Sequence, residues 1–213
     1  TTTCGTITTN TTLTNDITTT GTCFTIGADN ITLDGNGFTI TGDTTGFGVN
    51  NTDSYNNTII KNFGNISNFS TGVYGEDAIN FTIFNNTIYF DDTGSFHEGI
   101  YIAGESNFTN ISDNSITTYA GSTSFPINFL ANSFFNNINN NILTSQGSAS
   151  HAFAVTGLHN STVTNNTITA GTGLSKPLGI YLNGNNDNNT FSDNNIFTNG
   201  GSHLHLSSAA GNN

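Results

Sequence analysis

Short runs in which apolar and polar residues alternate recur along the whole chain, each broken by an asparagine-rich turn. Ile7, Leu33, Ile59, Ile83, Ile111, Val163 and Phe191 stand three residues before a recurring asparagine. Phe38, Ile88, Ile116, Ile142, Ile168 and Ile196 stand two residues after it. A second apolar segment follows further on, as Ile100/Ile102, Ile127/Phe129, Phe153/Val155 and Ile180/Leu182. Its period of two is that of a strand with one buried face. The recurring residues are Asn10, Asn36, Asn62, Asn86, Asn114, Asn140, Asn166 and Asn194, with gaps of 26, 26, 24, 28, 26, 26 and 28. Before Asn140 the apolar place falls to Asn137, which leaves the register open there by one residue.

A repeat of this period marks a solenoid, a propeller or a repeat array. Charged residues make up only 8% of the chain and no stretch has helical periodicity, which excludes helical solenoids. A propeller blade needs four strands and about 40 residues. What remains is an all-β, right-handed parallel β-helix of about eight coils of ~26 residues, a rod roughly 40 Å long at ~4.8 Å per coil. Asparagine suits each bend because it tolerates the left-handed region and its amide can pair with the same amide one coil away. The eight asparagines are therefore expected to form a ladder. No composition shift marks a linker, so residues 1–213 read as one domain, with 1–29 as cap and first coil and 30–213 as regular coils.

The opening runs Cys4-Gly5-Thr6-Ile7, then Thr22-Cys23-Phe24-Thr25-Ile26, then Asn30-Ile31-Thr32-Leu33-Asp34-Gly35-Asn36-Gly37-Phe38-Thr39-Ile40-Thr41-Gly42. It resembles the amino-terminal cap and first coils of right-handed parallel β-helix repeat proteins of microbial cell surfaces. These belong to the pectate-lyase-like superfold, here as a non-catalytic member, and the later coils share only the repeat spacing. A superfold hosts many functions, so the resemblance implies fold and setting rather than activity. Cys4 and Cys23, the only cysteines, are expected to staple the cap as a disulfide; two buried thiols are the alternative.

Fourteen acidic residues face only Lys61 and Lys176, a net charge of −12. That balance argues against nucleic acid and against an anionic membrane surface as partners. No signal peptide, membrane-spanning stretch or methionine is visible, so Thr1 reads as a processed or truncated start. Thirteen Asn-x-Ser/Thr sequons occur, and Asn30, Asn56, Asn80, Asn107, Asn160 and Asn188 fall six or seven residues before a recurring asparagine. They predict a row of N-linked glycans along one edge of the rod, interrupted where Phe134 takes the register.

A lyase centre has too few basic residues to be built, and Asp91, Asp92, His97 and Glu98 read more simply as a polar loop than as a hydrolase cluster. His203 and His205 share one strand face without an evident third metal ligand. The expectation is therefore no catalytic or metal site and no cofactor, with room for a bound divalent cation. The function expected is structural: an extracellular or cell-surface, N-glycosylated rod that assembles head to tail with copies of itself, without membrane insertion. The alternative is a carbohydrate-binding or polysaccharide-cleaving β-helix using Tyr74, Tyr101 and Tyr181 as outward sugar platforms; a trimeric tail spike is a weaker third option.

Overall fold

The computed structural model describes residues 1–91, 96–119, 123–147, 150–171 and 177–206. Asp92 and Lys176 lie outside them. The described chain is a right-handed parallel β-solenoid whose three sheets, here A, B and C, run the length of the rod. Sheet A has nine strands, from Gly5–Ile7 to Leu204–Leu206; sheets B and C have eight each. The coil count differs slightly from eight, because the Leu204–Leu206 strand opens a further coil after eight have contributed to all three sheets. Each strand pairs in parallel with its counterparts in the neighbouring coils, as Val73 with Val49 and Ile100 in sheet A.

Three stacked columns fill the interior. Val49, Val73, Ile100, Ile127, Phe153 and Ile180 come from sheet A, and Leu33, Ile60, Ile83, Ile111, Ile138 and Val163 from sheet B. Sheet C supplies Ile40, Ile66, Ile88, Ile116, Leu143 and Ile168, and all eighteen are buried. Each such side chain stabilises the fold by roughly 1.5–3 kcal/mol, less the entropy of fixing it. The columns correct the sequence register in four coils: Ile7 lies in sheet A with Ile26, Ile40 rather than Phe38 lines sheet C, and two further positions shift by one residue. Ile60 rather than Ile59 pairs with Leu33 and Ile83, and Leu143 rather than Ile142 pairs with Ile116 and Ile168. Ile142 is left exposed.

The asparagine column is corrected as well. The bend between sheets B and C carries two columns, one residue apart. The outer one holds the left-handed backbone: Asn36, Asn62, Asn85, Asp113, Asn140, Asn165 and Asp193 all have φ between 50° and 58°. The inner one is an amide ladder. Asn86, Asn114, Asn141 and Asn166 each donate from Nδ2 to Oδ1 of the next member, ending on Asn194, at 2.9–3.0 Å. Each Nδ2 also reaches a sheet B carbonyl of the preceding coil, as Asn114 does to Ile83 at 2.9 Å. The column thus runs through Asn141, while Asn140 donates outside to Asp113. Asn36 and Asn62 belong to the outer column, and Phe63 takes the inner place beside Asn62. Asn10 is at neither: its Oδ1 accepts from the Thr32 N–H at the entrance to sheet B.

Cys4 and Cys23 form a disulfide, joining the starts of the first two sheet A strands.

Candidate functional site

Two surfaces gather chemistry outside the core. The first is the edge where the chain passes from sheet A to sheet B. One residue per coil takes the left-handed region there: Asn30, Asn57, Asn80, Phe108, Phe135, Asn160 and Asn188, with φ between 49° and 59°. Backbone bonds keep them in register, from Asn80 N–H to the Asn107 carbonyl, Phe108 to Phe134, Phe135 to His159 and Asn160 to Asp187. The residue after each turns inward and is buried, as Phe81, Asn136 and Ser161 are. An outward side chain at the tip of a bend follows directly from that reversal.

The six sequon asparagines expected in one column divide between two. Asn30, Asn80, Asn160 and Asn188 occupy the exposed left-handed position. Asn56 and Asn107 sit one residue earlier and are half-buried, with their side-chain oxygens accepting the N–H groups of Ile79 and Phe134 at 2.7 Å. The spacing could not separate the two, because a single residue of loop length moves a sequon from one column to the other. The exposed amides also form a short outer ladder, Asn80 to Asn57 at 2.9 Å and Asn57 to Asn30 at 3.1 Å. Among the described residues the Asn160 side chain makes no hydrogen bond.

Phe108 and Phe135 were not singled out from the sequence. Both are 54% exposed, and their rings stack at 5.3 Å between centroids with 14° between planes. Beside them Phe134 stacks on His159 at 4.8 Å. The signal was present: Phe135 falls 27 residues after Phe108 and 25 before Asn160, the same period as the sequons.

The second surface is the outer side of sheet A. Gly99 faces the interior, where a Cβ would lie 2.3 Å from Ile116 Cγ2 and 2.5 Å from the Pro126 carbonyl. Ile100, next to it, also points inward and is fully buried. Two successive inward residues break the alternation and turn Glu98 to the outer side, with Tyr101. There Glu98 accepts from Asn128 Nδ2 at 2.7 Å, yet it is only 3% exposed. Burial pushes its carboxyl up to about 7, against which the Asn128 bond pulls weakly.

Tyr74 and Tyr101 pair in register and meet edge to face at 5.2 Å, and Tyr74 donates to Glu76 Oε2 at 3.1 Å. Burial, reinforced by Glu76, raises the Tyr74 phenol; burial and then Glu98 raise that of Tyr101. Further along the same face His151, held below its ordinary range by burial, contacts Tyr181 at 4.8 Å, and His205 lies at 5.6 Å on the other side of Tyr181. Tyr101 and Tyr181 share one register row, with Asn128 and Ala154 between them.

The other candidates do not converge. His97 is 2% exposed and its Nδ1 lies 3.1 Å from the Phe69 carbonyl, whereas Glu98 is engaged with Asn128 on the outer side. Asp91 lies exposed beyond the Thr87–Phe90 strand of sheet C, and Asp92 is outside the described residues. His205 sits against Tyr181.

These features are those of a right-handed parallel β-helix repeat protein. No family model matches the chain, and no curated protein sequence matches it. Among solved structures it is similar to DFA-IIIase from Arthrobacter chlorophenolicus A6 in complex with GF2, at 12% identity and a TM-score of 0.44. It is also similar to a mutant of that enzyme in complex with DFA-III, at 13% and 0.42. The matches cover 89% and 90% of this chain but only 60% of the enzyme chain in each case. Likeness at this level says nothing of activity or ligand.

Proposed function

We propose that the chain is a structural, extracellular β-helix rod that carries N-linked glycans along its A–B edge. The observation that supports this most is the placement of Asn30, Asn80, Asn160 and Asn188, each within a sequon, at the exposed tip of a bend. A glycosyltransferase needs an accessible asparagine on an irregular segment, and these four supply one. The Cys4–Cys23 disulfide and the charge of −12 accord with an exterior setting. Peptide mapping by mass spectrometry of protein secreted from a glycosylating host tests the reading. Sugar is expected on these four rather than on Asn56 and Asn107; bare asparagines throughout would remove glycosylation from it.

End-to-end association of rods is the second part of the reading. Its support is that Leu204 and Leu206, which continue the inward rows of Ile180 and Leu182, are each about half exposed. Light scattering over a wide concentration range tests it, and a monomer at every concentration would refute it.

A second reading has its own observation. The row of Tyr74 and Tyr101, with Glu76 and Asn128 beside it, combines aromatic faces with polar groups that can orient hydroxyls, as a carbohydrate-binding surface does. Binding of a soluble polysaccharide, weakened at least tenfold by Tyr101→Ala, would favour it. No binding across a panel of neutral and acidic polysaccharides would leave the structural reading alone.

A further inference from the structure

We propose that Phe108 and Phe135 are stacking platforms for the first sugars of the glycans on Asn80 and Asn160. This rests on the glycan-bearing reading and goes further, because it says which sites hold an ordered sugar and what holds it.

The starting point is strain. A left-handed backbone costs an ordinary side chain roughly 1–2 kcal/mol, and bulky residues avoid it while asparagine tolerates it. Five of the seven residues along this edge are asparagine; the other two are phenylalanines with φ of 58° each. Both residues are 54% exposed, so burial offsets only part of the strain and leaves a broad apolar surface in water. Their mutual stacking contributes roughly 0.5–1.5 kcal/mol, less than two strained residues cost. Unfavourable residues kept at an exposed position point to a function for the rings themselves.

Geometry supplies the ligand. The two rings lie nearly parallel and one above the other along the rod, so they cover one face of each other. Along the column Phe108 stands next to Asn80 on one side, and Phe135 next to Asn160 on the other. Each of those asparagines is one coil away, at the ~4.8 Å spacing of parallel strands. A sugar on Nδ2 would therefore stand beside the ring at about the separation the two rings already keep. The first residue of an N-linked glycan is a hexose or N-acetylated hexosamine, one of whose faces is lined with C–H groups. Such a face packs on an aromatic ring as a second ring does.

The amides allow it. Asn160 Nδ2 has no hydrogen bond among the described residues to give up. Asn80 Nδ2 donates once, to Asn57 Oδ1, and a substituted amide keeps the one N–H that this needs. Among the described residues the column neighbours of Asn30 and Asn188 are asparagines, Asn57 and Asn160 respectively, so no aromatic ring of the column adjoins a sugar there.

The test uses the full chain secreted from a glycosylating host that supplies isotope-labelled sugar. Proton–carbon NMR of the intact glycoprotein is compared between the wild type, Phe135→Asn and Phe108→Asn. Asparagine suits the left-handed position, and neither change creates a sequon, so both variants should fold. The wild type is expected to show upfield ring-current shifts for the first sugars at Asn80 and Asn160, with ordinary shifts at Asn30 and Asn188. Phe135→Asn should abolish the shift at Asn160 alone, and Phe108→Asn that at Asn80 alone. Glycans present at Asn80 and Asn160 with shifts unchanged by either variant would overturn the platform while leaving glycosylation standing. Mass spectra with no sugar at either site would overturn both.

Discussion

Replacing Glu98 by glutamine removes an ionisable proton from a nearly buried site and leaves its shape unaltered. Glutamine also keeps an oxygen to accept the Asn128 amide, so the hydrogen bond survives. In the folded chain burial raises the carboxyl from 4.5 to about 7. Because the folded value is the higher one, the folded state holds a proton that the unfolded chain has released between these two values. Over that window the contribution of Glu98 to stability falls as pH rises, by up to about 3 kcal/mol for a displacement of this size. Below 4.5 both states are protonated and the penalty vanishes; above 7 it is constant.

Urea unfolding of wild type and Glu98→Gln, followed by far-UV circular dichroism at about pH 4, 5.5, 7 and 8.5, checks this. The two stabilities should agree at the lowest pH and diverge as pH rises, with the variant the more stable. Asp43 stays below its ordinary range through hydrogen bonds from the Thr45 hydroxyl and the Gly21 N–H. For Asp34, burial acts to raise the carboxyl but is outweighed by bonds from Asn36, Asn62 and Lys61. Both groups act below their unfolded value of 3.8 and with the opposite sign, so they do not enter the window. His151, held below 6.5 by burial, favours folding as pH rises within it, but is common to both proteins and cancels in their difference. A stability difference that stays constant across the series would refute the reasoning.

The inner ladder makes a sharper prediction than spacing alone. Asn141→Ala strips the Asn114 N–H and Nδ2 of their acceptor and the Ile111 carbonyl of a donor, which should lower stability by at least about 3 kcal/mol. Asn140→Ala, one residue away and exposed, should cost only about 1 kcal/mol through its left-handed backbone; chemical denaturation of the pair separates them, and equal losses would place the ladder wrongly. Replacing both Cys4 and Cys23 by serine opens a loop of 19 residues' separation and should lower stability by about 3 kcal/mol relative to the oxidised wild type, read by the same method, and reduced wild type should match the variant. Gly99→Ala drives a methyl group into Ile116 and the Pro126 carbonyl and should destabilise by about 1–3 kcal/mol; an unchanged melting temperature would show that sheet A can shift to admit it.

Much of the fold was legible because a solenoid is nearly one-dimensional: each coil contacts its neighbours, so the period in the sequence is the period in space. The inward pairs Ile100/Ile102, Ile127/Phe129 and Ile180/Leu182 all line the core where period-two spacing put them. What spacing could not resolve was the choice between adjacent residues. Asn139, Asn140 and Asn141 are the same residue three times over, and only the inward turn of Ile138 and Leu143 selects Asn141 for the dry ladder. The same one-residue ambiguity hid the division of the sequon asparagines between two columns.

The sequence by itself thus determined the parallel solenoid, its coil length and the period of its apolar columns, because burying a repeated apolar face leaves few other packings. Tertiary structure alone decided which asparagine faces the core and which faces water, since that depends on where each bend places a left-handed residue. It alone set Glu98 beside Asn128, 30 residues away, and stacked Phe108 on Phe135. Those pairings arise only when successive coils come into register, and cross-coil register is a property of the stack.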